Sequence, residues 1–184
     1  ATKPKDLPEE SIHEPQTILI HHAGVAWKEG TDPYKKLKNL QSWGMREKGW
    51  MDVPYHFIIA PDGTIFEGRD VKYRPDTNTA FDTTGYINVE LEGNFEVQRA
   101  SKAQLKSAAM LSAWLAQEYE MDPQEMVAHK DLADTACPGR DLYRYLHDGP
   151  LEEWTEIALV GKTPQVKLLD PLPQGPTEMI PDAK

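Results

Sequence analysis

The chain has 184 residues, enough for one domain with a proper core and short for two. Its 30 acidic and 20 basic residues leave a formal net charge of −10, and no block of Lys and Arg is present to meet a phosphate backbone, so nucleic acid is excluded as a partner. No apolar run approaches the roughly 20 residues of a membrane helix, and a single cysteine rules out a disulfide-stapled scaffold without fixing the redox compartment.

Residues 1–15 are polar, hold three prolines and show no periodicity, which predicts a surface arm. The start at Ala1 reads as either a processed or a trimmed terminus. Thr17-Ile18-Leu19-Ile20 is β-branched and apolar on both faces, as a central strand covered on two sides would be. It runs into His21-His22. From Thr31 to about Trp50 apolar residues recur at three- and four-residue steps behind Asp32-Pro33, a helix start. Tyr55–Ala60 and Thr64–Glu67 read as two strands, joined by Pro61-Asp62-Gly63 into a hairpin.

Residues 69–86 are rich in Asp, Thr, Asn and Gly and predict a long loop over one face, a frequent place for function. Ile87–Leu91 alternates, with Ile87, Val89 and Leu91 on one face and Asn88 and Glu90 on the other. Ser101 and Gln104 form a capping-box signature for a helix running to about Tyr119. A short strand, Met126-Val127-Ala128, then delivers His129. Asp141–His147 and the stretch LEEWTEIALV predict two further helices, followed by a proline-rich tail that is either extended along the body or disordered. The expected architecture is a single α/β domain, a central mixed sheet flanked by helices. Its parts are an arm at 1–15, a main domain at 16–148 and a proline-rich extension at 149–184.

The segment HKDLADTACPGR carries the lone cysteine, Cys137, eight residues after His129. A thiolate and an imidazole on one loop make two ligands of a zinc site, and a catalytic zinc keeps three protein ligands and a water. The third donor is His21 or His22, since alternation lets only one of them face a common site. His21 and His129 both close short apolar strands, where ligand sites form in α/β folds. Against this, a lone Cys is ordinarily a small buried apolar residue and a lone His a packing residue. Neither CxxC nor HExxH spacing is present.

The segments ILIHHAG, VPYHFIIAPDGTIFEGRD, VELEGNF and HKDLADTACPGRDL, in this order over roughly residues 16–146, resemble the zinc-dependent N-acetylmuramoyl-L-alanine amidases, the family that includes peptidoglycan recognition proteins and small phage amidase lysozymes. The resemblance implies one catalytic Zn²⁺ held by His21, His129 and Cys137, with His22 packing or supporting. It implies that Tyr55 is a hydrogen-bond donor near the reacting water, against a bland alternative of aromatic core packing. Glu90 would be a general base or electrostatic helper, the alternative being a solvated strand face. Thr135 would contact the reacting carbonyl, and His56 is read as structural. The chain departs from the family pattern at Thr79-Ala80, where many members carry His-Ala, and at Asn88, where Gly is common.

The implied activity is hydrolysis of the amide between N-acetylmuramic acid and L-alanine in peptidoglycan or its fragments. The competing reading is a non-catalytic peptidoglycan-binding module of the same fold. Such relatives typically lack the Cys ligand, so Cys137 favours the enzyme. A monomer located in the periplasm or outside the cell is expected from the substrate, with the cytoplasm as the alternative.

Overall fold

The computed structural model describes residues 6–147 and 149–181. Five strands form one mixed sheet: β1 (Thr17–His22), β2 (Phe57–Ile59), β3 (Ile65–Glu67), β4 (Tyr86–Leu91) and β5 (Val127–Ala128), in the order β3-β2-β4-β1-β5. β1 runs parallel to β4 and β5, β2 parallel to β4, and only the β2–β3 hairpin is antiparallel. Parallel neighbours need covered faces. The apolar run of β1 meets that need, with Ile18, Leu19 and Ile20 all buried.

One face, carrying Ile18, Ile20, Ile87, Val89 and Leu91, packs into the core under helix α2 (Lys102–Glu118). The capping box is present: Ser101 Oγ accepts from Gln104 N at 2.9 Å, and the Gln104 side chain accepts from Ser101 N. Leu105, Ala108, Ala109, Ser112, Leu115 and Ala116 form the buried stripe expected from their spacing. Helix α5 (Pro150–Leu159) lies against α2 and supplies Leu151 and Trp154 to the same core.

The opposite face departs from expectation. Asn88 and Glu90 are as buried as the apolar residues beside them, so alternation here does not mark a solvated side. Helix α1 (Pro33–Trp43), capped by Asp32 as expected, covers part of this face through Lys36 and Leu40. It passes into a wider turn at Gly44–Lys48 instead of continuing as α-helix to Trp50. Of the predicted arm, residues 1–5 lie outside the described residues and the rest is anchored: His13 is buried, its Nε2 bonded to Val71 O at 3.0 Å and its Nδ1 accepting from Gly85 N at 2.9 Å.

Two short helices frame the cysteine loop. α3 (His129–Leu132) follows β5 directly, and α4 (Arg140–Tyr143) gives way to a turn before His147. The tail is extended along the body. Ile180 is buried, its N–H donates to Arg99 O at 3.0 Å, and Arg99 N–H donates to Glu178 O at 2.8 Å.

Candidate active site

The parallel strands bring chemistry to their carboxyl ends. His21, next to last in β1, lies opposite Glu90 of β4, and β5 hands the chain to His129 at the first position of α3. The loop from α3 returns Cys137 to the same place. Gly139 lets it do so, because a Cβ there would lie 2.5 Å from the Phe95 carbonyl carbon and its φ is +90°.

His21, His129 and Cys137 are all buried, and their donor atoms lie within 4.8 Å of one another. His21 Nδ1 is 3.6 Å from Cys137 Sγ. Tetrahedral zinc, with bonds of roughly 2.0–2.1 Å to nitrogen and 2.3 Å to sulfur, separates such a pair by about 3.5 Å. The donor set therefore fits zinc in both chemistry and spacing.

The surroundings set each ligand. His129 Nε2 is 2.6 Å from Thr79 Oγ1, which is itself 2.8 Å from Thr77 Oγ1. With Nε2 engaged, Nδ1 is the nitrogen left for a metal. Cys137 Sγ accepts the backbone N–H of His22 at 3.3 Å. Burial holds the imidazoles of His21 and His129 below the usual histidine range, with the charge of His129 adding to the effect at His21. They therefore present neutral lone pairs. Burial pushes the Cys137 thiol up to about 12, so a cation must be present before it can serve as thiolate.

A cleft of about 230 Å³ opens over these three side chains, and its wall includes Tyr55, Thr135, Trp50 and Thr79. The Tyr55 ring packs 5.3 Å from that of His21. Burial, and the charge of Glu90 next, raise the phenol well above its usual range, so it remains a donor. Thr135 Oγ1 accepts from Cys137 N at 3.2 Å, which leaves its own O–H free to donate.

Glu90 is placed differently. It lines a separate cavity of about 90 Å³ with Lys36, Leu40, Glu92 and Tyr55, not the cleft above the ligands. Both its oxygens are enclosed with no hydrogen-bond partner among the described residues. Burial, then the charge of Glu92, hold its proton well above the carboxylate range, while Lys36 is paired with Glu92. His56 lies outside the site. Its Nε2 reaches Tyr73 O at 2.9 Å and its Nδ1 accepts from Asn88 N at 2.9 Å.

Thr79, where the sequence departs from the family pattern, has its hydroxyl engaged by His129. Trp50 and Asp76–Asn78 on the cleft wall were not singled out. Only the composition of the long loop pointed near them.

Comparison with known proteins bears on the family and the fold. Peptidoglycan-recognition protein SD of Drosophila simulans is 27% identical over 146 residues, covering 77% of this chain and 75% of that protein. The solved amidase LysC from Clostridium intestinale superposes with a TM-score of 0.64 at 25% identity, over 88% of this chain and 95% of its own. Drosophila PGRP-LB gives 0.70 at 25% identity, over 82% and 89%. The family model described as N-acetylmuramoyl-L-alanine amidase matches residues 11–140, most of the chain, and the protein belongs to that family.

Proposed function

We propose that the protein is a zinc hydrolase that cleaves the amide between N-acetylmuramic acid and L-alanine in peptidoglycan or its fragments. The observation that carries this reading is the convergence of His21, His129 and Cys137 under a cleft walled by two hydroxyl donors. Zinc held there supplies Lewis acidity toward a carbonyl oxygen and acidifies water.

The chain's own groups do the rest. Tyr55 and Thr135 place O–H donors on the cleft wall, where they steady the oxyanion as the carbonyl becomes tetrahedral. The proton that the attacking water gives up is the one the departing alanine nitrogen takes, so the transfer balances within the cleft while Tyr55, kept protonated by its surroundings, goes on donating to the oxyanion. Glu90 acts from behind Tyr55. Its carboxyl shares the inner cavity with the phenol and disfavours loss of the phenolic proton. Tyr55 is thus a standing O–H donor on the cleft wall and Glu90 its electrostatic helper.

Such a substrate implies a periplasmic or extracellular location, and the described residues include no helix long and apolar enough to cross a membrane. Digestion of purified sacculi tests the activity. New alanine amino groups without new reducing sugars are expected, together with bound zinc measured by elemental analysis. Full turnover by Cys137→Ala would sink the assignment. The second reading, a binding module without turnover, has its support in relatives named for peptidoglycan recognition. Bound zinc and tight muropeptide binding without new amines would select it.

A further inference from the structure

One polar atom on the cleft wall has no part in the hydrolysis described above. His22 packs beside Phe95, whose backbone N–H donates to His22 Nδ1 at 3.2 Å. A ring nitrogen that accepts a hydrogen bond carries no hydrogen, so in the neutral ring the proton sits on Nε2. Nε2 has no hydrogen-bond partner among the described residues, yet it is not one of the enclosed polar atoms. It opens beside Gly24, where a Cβ would stand only 3.6 Å from it. His22 and Gly24 both line the cleft that holds the three ligands.

A donor whose tautomer is locked by the backbone and whose ring is held by packing recognises an acceptor oxygen. On a muramoyl peptide the most numerous acceptors are carbonyl oxygens. We propose that His22 is a substrate-binding residue that donates Nε2–H to a carbonyl oxygen of the bound muramoyl peptide. This rests on the hydrolase reading and adds the residue that anchors the peptide. The backbone N–H of His22 meanwhile donates to Cys137 Sγ, so the anchor and the metal ligand keep a set separation.

Two substitutions separate the donor from mere packing. His22→Asn keeps an oxygen to accept from Phe95 N–H but has no atom at the Nε2 position, whereas His22→Gln returns an amide N–H close to it. The probe is a soluble N-acetylmuramoyl-pentapeptide. Kd is measured with zinc-loaded protein in a Tyr55→Phe background, and KM and kcat in the native background. His22→Asn is expected to raise Kd and KM about tenfold, the worth of one lost hydrogen bond, with kcat little changed and a full zinc complement. His22→Gln is expected to recover most of the loss. An unchanged Kd and KM in His22→Asn overturns the assignment. Equal losses in both variants, or loss of zinc from His22→Asn, also overturn it and leave the ring as a support for the cysteine loop. If the unmodified protein binds and cuts while both variants match it, only this inference falls. If it neither binds nor cuts, the hydrolase reading falls with it.

Discussion

Thr79 and Tyr55 act on neighbouring histidines in different ways, and the difference is measurable. Thr79 Oγ1 fixes the orientation of His129 from behind, at 2.6 Å, while Phe81 packs 5.4 Å from the same ring. Groups that orient a ligand in this way commonly contribute 10–100-fold to metal affinity. Thr79→Val keeps the shape and removes the hydroxyl. It should weaken zinc binding by about tenfold or more, read by competition with a chromogenic chelator. Unaltered affinity would show that the His129 ring is held by packing alone. Tyr55 is expected to act on the reaction rather than on the metal. Tyr55→Phe keeps the contact with His21 but loses the O–H, so kcat should fall about 10²–10³-fold while zinc content and KM hold. Zinc loss in that variant would move Tyr55 from catalysis to support of the site.

Elements show where the sequence was legible and where it was not. β1, α2 and the β2–β3 hairpin follow from residue type: an apolar run, a capping box, a Pro-Asp-Gly turn. All three are present. The buried side of β4 was misleading because its cover comes from α1 and Tyr55, which no local pattern links to Asn88 and Glu90. His21 and Cys137 stand 116 residues apart, so their meeting rested on resemblance and topology rather than spacing. The tail was the least legible element. It is held through its own backbone carbonyls, which carry no residue signature: Arg140 Nη1 donates to Gln174 O at 3.2 Å, and Arg99 and Arg144 hold Leu169 O and Asp170 O. Ile180 fills the space over Gly93, which the Phe95 ring borders too. Phe95 O in turn accepts from Asp141 N at 3.0 Å, just beyond the cysteine loop. The tail is therefore part of the domain's packing. Ile180→Ala should lower stability by about 2–4 kcal/mol, seen as a lower urea midpoint. A change under about 0.5 kcal/mol, the usual size for an unpacked surface residue, would mean the tail merely rests on the body.

Across the whole molecule, burial of histidine makes stability depend on acid. Of six histidines, five (His13, His21, His22, His56 and His129) have folded pKa values below the usual range, with burial as the largest cause in each. Each is protonated more readily in the unfolded chain. As pH falls below about 6.5 the unfolded state takes up more protons and the fold loses stability. Glu90 and Glu92 oppose this, since their raised folded values favour proton uptake by the native state as pH falls towards about 4.5. His56 isolates the histidine contribution because it lies outside the cluster of His21, His129 and Cys137 and its pKa falls to about 4. Its Nδ1 accepts from Asn88 N, and protonation there would set two donors against each other. The fall from 6.5 to about 4 corresponds to about 3 kcal/mol, lost progressively across that window and fully lost below it. His56→Asn preserves an acceptor for Asn88 N but cannot titrate. Urea unfolding of both proteins in chelator, at pH values from 7 to 4, cancels the groups they share. The variant should be less stable at pH 7, and the gap should narrow by up to about 3 kcal/mol on acidification. Parallel profiles would mean that His56 titrates in the fold as it does in the open chain, and that acid unfolding has another origin.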